Sequence, residues 1–145
     1  ASRIEAKYAP DIRYAEILLN YAEALNEAEG PTAEVYNAVN KIRRRAQLLD
    51  LPANLTKDEM RNKIRQERRV ELAFENHRFW DVRRWKIAEI VDNKKVHKIT
   101  VNADGTYSYP VFQNRVFDKA KHYLFPIPQS EIDKNRNLVQ NPGWN

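Results

Sequence analysis

The 145-residue chain contains no cysteine and only three glycines. Without cysteine there can be no disulfide, no thiolate metal site and no thiol nucleophile, although this absence alone does not fix the compartment. Glycine this sparse, with no Gly-rich phosphate loop, describes a chain that is neither fibrous nor disordered. No apolar run approaches the ~20 residues that span a bilayer, and the N-terminus lacks the basic, apolar and small-residue segments of a secretory signal. The sequence as it stands reads as soluble. A surplus of one charge is missing as well: 25 basic residues are interleaved with 20 acidic ones, for a net charge of +5 and a pI near 9.5. That balance favours anionic partners only where basic residues gather on one face.

What is present is 42% hydrophobic and 31% charged residues, the composition of a helix-rich protein. A chain of this length buries roughly two thirds of its unfolded surface, so the expectation is a single domain over 1–145. From Asp11, "DIRYAEILLNYAEALNEAEG" puts Ile12, Ala15, Leu18, Leu19, Ala22 and Leu25 at helical spacing, with Asp11 suited to cap the start and Gly30 to end it. A second helix follows Thr32, with Val35, Tyr36, Val39, Ile42 and Ala46 on one side, and the short "GPT" connection predicts antiparallel neighbours. After the loop "DLPANLT", Thr56 and Glu59 have the spacing of a capping box that opens a third helix. Past residue 92, "KKVHKITVNADGTYSYPVF" alternates β-branched and aromatic residues around Asp104-Gly105, which signals a hairpin. "HYLFPIPQSEIDKN" then offers extended chain, two prolines that forbid a regular helix, and a helical turn from Ser130. "NRNLVQNPGWN" has loop composition.

On a helical wheel at about 100° per residue, Asp58, Asn62, Arg65, Gln66, Arg69 and Asn76 form a polar side of the third helix. Met60, Ile64, Val70, Leu72, Phe74, Phe79 and Val82 form the opposite side, which is expected to be buried. Glu67, Arg68, Glu71, Glu75 and Arg78 fall among them. Isolated buried charges cost several kcal/mol each, so these five require partners. Glu67 with Glu71, and Glu71 with Glu75, repel at i, i+4, whereas Arg68 with Glu71 and Glu75 with Arg78 attract at i, i+3. Three acids against two bases call for a further cation, and "IRRRA" at 42–46 on the second helix is the expected donor. The wheel therefore predicts a mostly buried Arg/Glu network joining helices two and three.

Other chemistries fit these residues less well. Glu71 and Glu75 could serve as general acid and base of a glycosidase, which needs two carboxyls across one bond. Guanidinium neighbours, however, lower carboxylate pKa values and occupy the oxygens, so structural pairing is preferred. His77, His97 and His122 show no metal-ligand spacing, and no cofactor is expected. The basic clusters at 43–45, 68–69 and 83–84 point in different directions along their helices and have acidic companions, so no nucleic-acid stripe forms. Trp80, Trp85, Tyr107, Tyr109 and Trp144 could stack on sugar rings or bases. For the hairpin, a three-residue Ala103-Asp104-Gly105 loop puts Tyr107 and Tyr109 opposite Val101 and Ile99, giving one apolar and one polar face. That register is preferred over a two-residue loop, and it places the two tyrosines in the core rather than on a binding platform.

Four segments in order, "RYAEILLNYAEALNEA", "IRQERRVELAFENHRFWDVRRW", "YLFPIPQSEIDKN" and "LVQNPGW", resemble the C-terminal region of the SusD/RagB family. These are surface lipoproteins of Bacteroidetes that capture nutrients, most often glycans. The resemblance runs from residue 12 to 144. It implies a mainly α fold of tetratricopeptide-like helix pairs, with a small β-hairpin and a loop-rich C-terminal segment. One departure is Asn76, where the family commonly has glycine. Asparagine tolerates a left-handed backbone, so a break after Glu75 would survive the change and would limit the wheel to residues before it.

Complete members are much longer and carry a signal and a lipidated cysteine, so the chain resembles a C-terminal piece. The resemblance further implies an outer-membrane, surface-exposed location, reached only through a lipid anchor in the N-terminal part. It implies partnership with a TonB-dependent transporter of the SusC type, an oligo- or polysaccharide ligand, and binding without catalytic turnover. Glu67, Arg68, Glu71, Glu75, Arg78, Asp81, Arg84 and Trp85 then read as a structural charge and aromatic network. No motif assigns a glycan-contacting residue. A tetratricopeptide-like adaptor for a protein segment is the alternative function.

Overall fold

The computed structural model describes residues 12–144 and is mostly helical. The chain packs as two compact units, one reaching to Arg78 and the other starting at Phe79.

In the first unit, α1 (Tyr14–Glu29) packs against both α2 (Ala33–Arg45) and α3 (Lys57–Glu71). Gly30 ends α1 at φ +91°, a backbone setting open to glycine at little cost. The N-cap is Arg13; the expected cap Asp11 lies outside the described residues, and Ile12 sits before the helix, exposed. Thr56 and Glu59 form the full capping box of α3, with Glu59 N–H donating to Thr56 Oγ1 at 3.3 Å and Thr56 N–H to Glu59 Oε2 at 2.8 Å. The core is Ala22, Val35, Ala38, Val39, Leu51, Met60 and Ile64, extended by a smaller cluster of Leu19, Ile42 and Leu72. Each fully buried large aliphatic side chain contributes roughly 1.5–3 kcal/mol against exposure. Buried polar groups fix the α2–α3 loop onto this core: Asn40 Oδ1 accepts Leu51 N–H at 2.9 Å, and Tyr36 Oη accepts Leu55 N–H at 2.9 Å.

The third helix is shorter than the wheel assumes. It stops at Glu71, and the chain turns through Phe74 and Asn76 at φ +65° and +63° before α4 (His77–Arg84) starts. Left-handed residues end the register of any helix, so the wheel fails beyond this point. Met60, Ile64, Leu72 and Val82 are buried, but Val70, Phe74 and Phe79 are exposed, contrary to expectation. Val70 precedes the break, and its exposure shows that the neighbouring helices cover a narrower stripe than half of α3.

The second unit has a small core of Val82, Ala88 and Phe117, with Ile87, Val91 and Tyr123 packed against it. A short α5 (Ala88–Val91) leads into the hairpin, where β1 (Lys95–His97) pairs with β4 (Val111–Asn114) and β2 (Thr100–Val101) with β3 (Tyr107–Ser108). Val101 faces Tyr107, Asn102 N–H donates to Thr106 O at 2.9 Å, and Gly105 has φ +82°, so the loop is the three-residue Ala103-Asp104-Gly105 form. The tyrosines are nevertheless not core: Tyr107 is 61% and Tyr109 62% exposed. Register was set locally by the turn, whereas burial needs a second layer over that face, and none covers it among the described residues.

Side-chain amides tie the loop-rich remainder together. Asn93 bonds both the N–H and the C=O of Phe117, and Gln140 bonds both groups of Ile127 at 2.8 and 2.9 Å, each imitating a strand partner. Trp144 Nε1–H donates to Leu124 O at 3.0 Å. Gly143, at φ +77°, passes so close to Lys121 that an added Cβ would lie 2.9 Å from its Cβ. The helical turn after the prolines is α6 (Gln129–Lys134).

Candidate functional site

The acids at the end of α3 are each engaged by arginine. Arg43 Nη1–H donates to Glu67 Oε2 at 2.8 Å, and its Nε–H to Leu49 O at 2.7 Å, so one guanidinium ties α2, the following loop and α3 together. Glu71 receives Arg45 at 2.7 Å and also Arg13, which bonds both its carboxylate and its backbone carbonyl. Arg13 donates in addition to both oxygens of Glu75 at 2.8 Å. The third arginine of the α2 cluster, Arg44, leaves this group and pairs with Asp50 instead.

The group is graded in burial. The Glu71 side chain is only 10% exposed and Glu67 is buried, while Arg45 and Glu75 reach solvent. Bonding from Arg13 holds the Glu75 carboxyl below the ordinary carboxylate range, and bonding to Glu75 raises the Arg13 guanidinium. A general acid needs the opposite shift, so Glu75 is poorly suited to donate a proton. Arg68 is buried on the same helix and donates to Asn20 Oδ1 at 2.6 Å. His77 faces Glu16 at 3.6 Å.

Asp81, Arg84 and Trp85 lie in the second unit. Buried Asp81 accepts Arg84 at 2.9 Å, and the Arg84 guanidinium lies 4.8 Å from the Trp85 ring centre. Arg78 is the second residue of α4 and closes the first unit.

Arg13 is the residue that sequence reasoning missed. Its partners lie 58 and 62 residues away, beyond any helical periodicity. A signal existed, since a cation at a helix N-terminus opposes the helix dipole and is better placed there when a carboxylate elsewhere holds it.

Among the described residues, each unit has surface open to a ligand. In the first unit a concave site of about 370 Å³ lies between α1 and α2, floored by Ala15, Leu18 and Ile42 and rimmed by Arg13, Tyr14, Lys41 and Arg45. Arg13 and Arg45 already hold Glu71, whereas Lys41 donates to the Tyr14 hydroxyl at 3.1 Å. In the second unit Phe79, Trp80 and Phe125 cluster with ring centres 5.0–6.1 Å apart, all three exposed, and Arg83 stacks 3.5 Å from Phe79. The hairpin tyrosines add a second aromatic face. Among the described residues no group of histidines and carboxylates could hold a metal ion, and no helix is long and apolar enough to cross a membrane.

Helices locked by arginine and carboxylate, with rings left at the surface, define a mostly helical scaffold with exposed aromatic surfaces. The family comparison gives the class a name: residues 2–144 match the SusD family, and the chain belongs to it. It is 38% identical to "SusD-like protein P2" of Formosa agariphila, in a match covering 94% of this chain and 26% of that protein. A solved SusD-like protein from Bacteroides fragilis is 38% identical and superposes with a TM-score of 0.83 over 92% of this chain and 25% of that one. A solved SusD-like carbohydrate binding protein from Bacteroides vulgatus, 24% identical, shares the fold at a TM-score of 0.60 over 88% of this chain and 29% of that one. The chain thus spans about a quarter of the length of these relatives.

Proposed function

We propose that the chain is a single C-terminal domain of a carbohydrate-binding protein that takes up glycans without transforming them. Membership of the SusD family over nearly the whole chain carries this reading. The name of the Bacteroides vulgatus protein supports a carbohydrate as the ligand. Engagement of Glu67, Glu71 and Glu75 by arginine supports binding without turnover, because the nearest carboxyl pair is already committed to structure. In this reading Glu67, Arg68, Glu71, Glu75, Arg78, Asp81, Arg84 and Trp85 are scaffold. The protein sits at the outer surface of the outer membrane through a lipid anchor borne by a part preceding this chain. There it works with a TonB-dependent transporter of the SusC type, and α1 and α2 are one tetratricopeptide-like pair.

A glycan panel tested by affinity electrophoresis and calorimetry, with reducing ends assayed in parallel, addresses this directly. The expected result is retention on at least one polysaccharide with no rise in reducing ends. Release of reducing ends that disappears in Glu71→Gln, with its fold intact, would make the protein an enzyme. The second reading, an adaptor for a protein segment, is favoured by the apolar floor and cationic rim between α1 and α2. It predicts binding of acidic peptides with an apolar anchor and no binding of sugars.

A further inference from the structure

The concave site of the first unit joins an apolar floor to uncommitted positive charge. Ala15, Leu18 and Ile42 line it, Tyr14 forms one wall, and Lys41 and Arg45 stand on the rim. These two cations are four residues apart on α2, so their side chains leave the same face of the helix one turn apart. Like charges so placed repel, and an anion between them would turn that repulsion into attraction. Neither cation is saturated. Lys41 has three N–H donors, of which one goes to the Tyr14 hydroxyl at 3.1 Å, and it meets no carboxylate among the described residues. The residues one turn from it on α2 are Asn37, Ala38, Arg44 and Arg45, none of them acidic. Arg45 bonds Glu71 only through Nη2, at 2.7 and 2.8 Å, which leaves its Nε–H and Nη1–H groups without an acceptor among the described residues. Arg13, Lys41 and Arg45 together meet only Glu71 and Glu75, so the rim keeps one positive charge in excess.

We propose that this site binds a small organic acid, a carboxylate carried on an apolar aliphatic or aromatic body. The carboxylate lies between Lys41 and Arg45, and the body rests on Ala15, Leu18 and Ile42. The inference goes beyond carbohydrate binding and assigns this surface a ligand of its own. Its volume of about 370 Å³ falls at the lower end of small-molecule pockets, which suits one compact body better than an extended chain of sugar or peptide residues. A neutral sugar fits less well, because its hydroxyls would be laid on three aliphatic side chains with Tyr14 as the one hydroxyl in the lining. An inorganic anion would leave the floor unused. Arg45 is already held in place by Glu71, so less side-chain freedom is lost when it meets a ligand. Its side chain is still 64% exposed, and the Lys41 side chain reaches solvent, which keeps the charge contribution small and the expected binding in the millimolar range.

The test is an NMR titration of the whole chain with octanoate and with phenylpropionate, read on methyl signals. Both acids should move the signals of Ala15, Leu18 and Ile42 and leave those of Val82 and Val91 in the second unit in place. Octanol keeps the body without the charge, and acetate keeps the charge without the body. Each should bind about five-fold or more weakly than octanoate. Added salt should weaken octanoate binding by screening the charges. Lys41→Gln should lower octanoate affinity about five-fold, to the level of octanol, while Lys41→Arg keeps it within about two-fold. Lys41 is exposed and touches only Tyr14 among the described residues, so circular dichroism of both variants should match the wild type. Octanol binding as tightly as octanoate would overturn the inference, as would unchanged affinity in Lys41→Gln, shifts confined to other residues, or no shift with either acid. Tighter binding of a blocked leucyl-aspartyl-leucine peptide at the same methyls would overturn it in favour of the adaptor reading.

Discussion

The two units of this chain hold themselves together by different chemistry. Up to Arg78, three helices share a continuous aliphatic core and their ends are clamped by guanidinium on carboxylate. From Phe79 onward the core is three buried residues, and neutral amides hold loops by imitating strand partners. A helix satisfies its own backbone and can spend its side chains on packing and charge pairs. A loop cannot, so side chains such as Asn93 and Gln140 must satisfy backbone groups that no sheet reaches. The first unit should therefore respond to changes of charge, and the second to changes of backbone shape. All three tryptophans lie in the second unit and the three long helices in the first. Far-ultraviolet circular dichroism and tryptophan fluorescence thus report on the two units separately.

The largest expected effect comes from Glu71→Gln. The neutral amide cannot balance Arg13 and Arg45 around a site where the wild-type carboxylate is 10% exposed, so a loss of about 2–3 kcal/mol is expected. The helical circular dichroism midpoint should fall by several degrees on heating, ahead of the tryptophan signal. An unchanged midpoint would mean that the arginines gain as much from solvent as from Glu71, and the clamp would lose its structural role.

Gly143→Ala probes the other unit and should cost less, about 1–2 kcal/mol, because a positive φ and a crowded Cβ must both be accommodated. The strain falls beside the Trp144 indole, whose N–H bonds Leu124 O. Its expected mark is a shifted fluorescence midpoint with little change in helical signal. Equal shifts in both signals would show that the two units melt as one.

The same contrast explains what could be read from the residues beforehand. The first two helices, the capping box at Thr56 and the three-residue hairpin loop were legible because each depends on neighbours within a few positions. The Arg43 and Arg45 contacts were reachable from unbalanced charge on one helix face. Arg13 was not, since its pairing depends on how α1 lies against the end of α3. Phe74 misled because its apolar side chain argued for burial while its left-handed backbone turned it outward. Tyr107 and Tyr109 misled in another way: alternation reveals which residues share a face, and only a covering layer decides whether that face is core.

The smallest expected effect is the sharpest test of the contrast, because acid should separate the units without any substitution. Arg13 bonding lowers the Glu75 carboxyl, and Arg61 bonding lowers Glu27, from an ordinary value of 4.5. A carboxyl so shifted binds fewer protons folded than unfolded, so its contribution is fully present above 4.5 and is lost as pH falls through the folded value. Both groups belong to the first unit and both reach solvent, which keeps the effect modest. In the second unit the clamps of Asn93, Gln140 and Trp144 are neutral and do not titrate in this range, and the lowered carboxyl of Asp104 holds only the exposed hairpin turn. Between pH 6 and pH 3 the helical melting midpoint should therefore fall more than the tryptophan midpoint. Arg13→Gln should lessen the difference by removing the shift at Glu75. A larger fall in the tryptophan signal would place the acid-sensitive links in the second unit, with Asp104 and its bonds from Thr106 as the first group to examine.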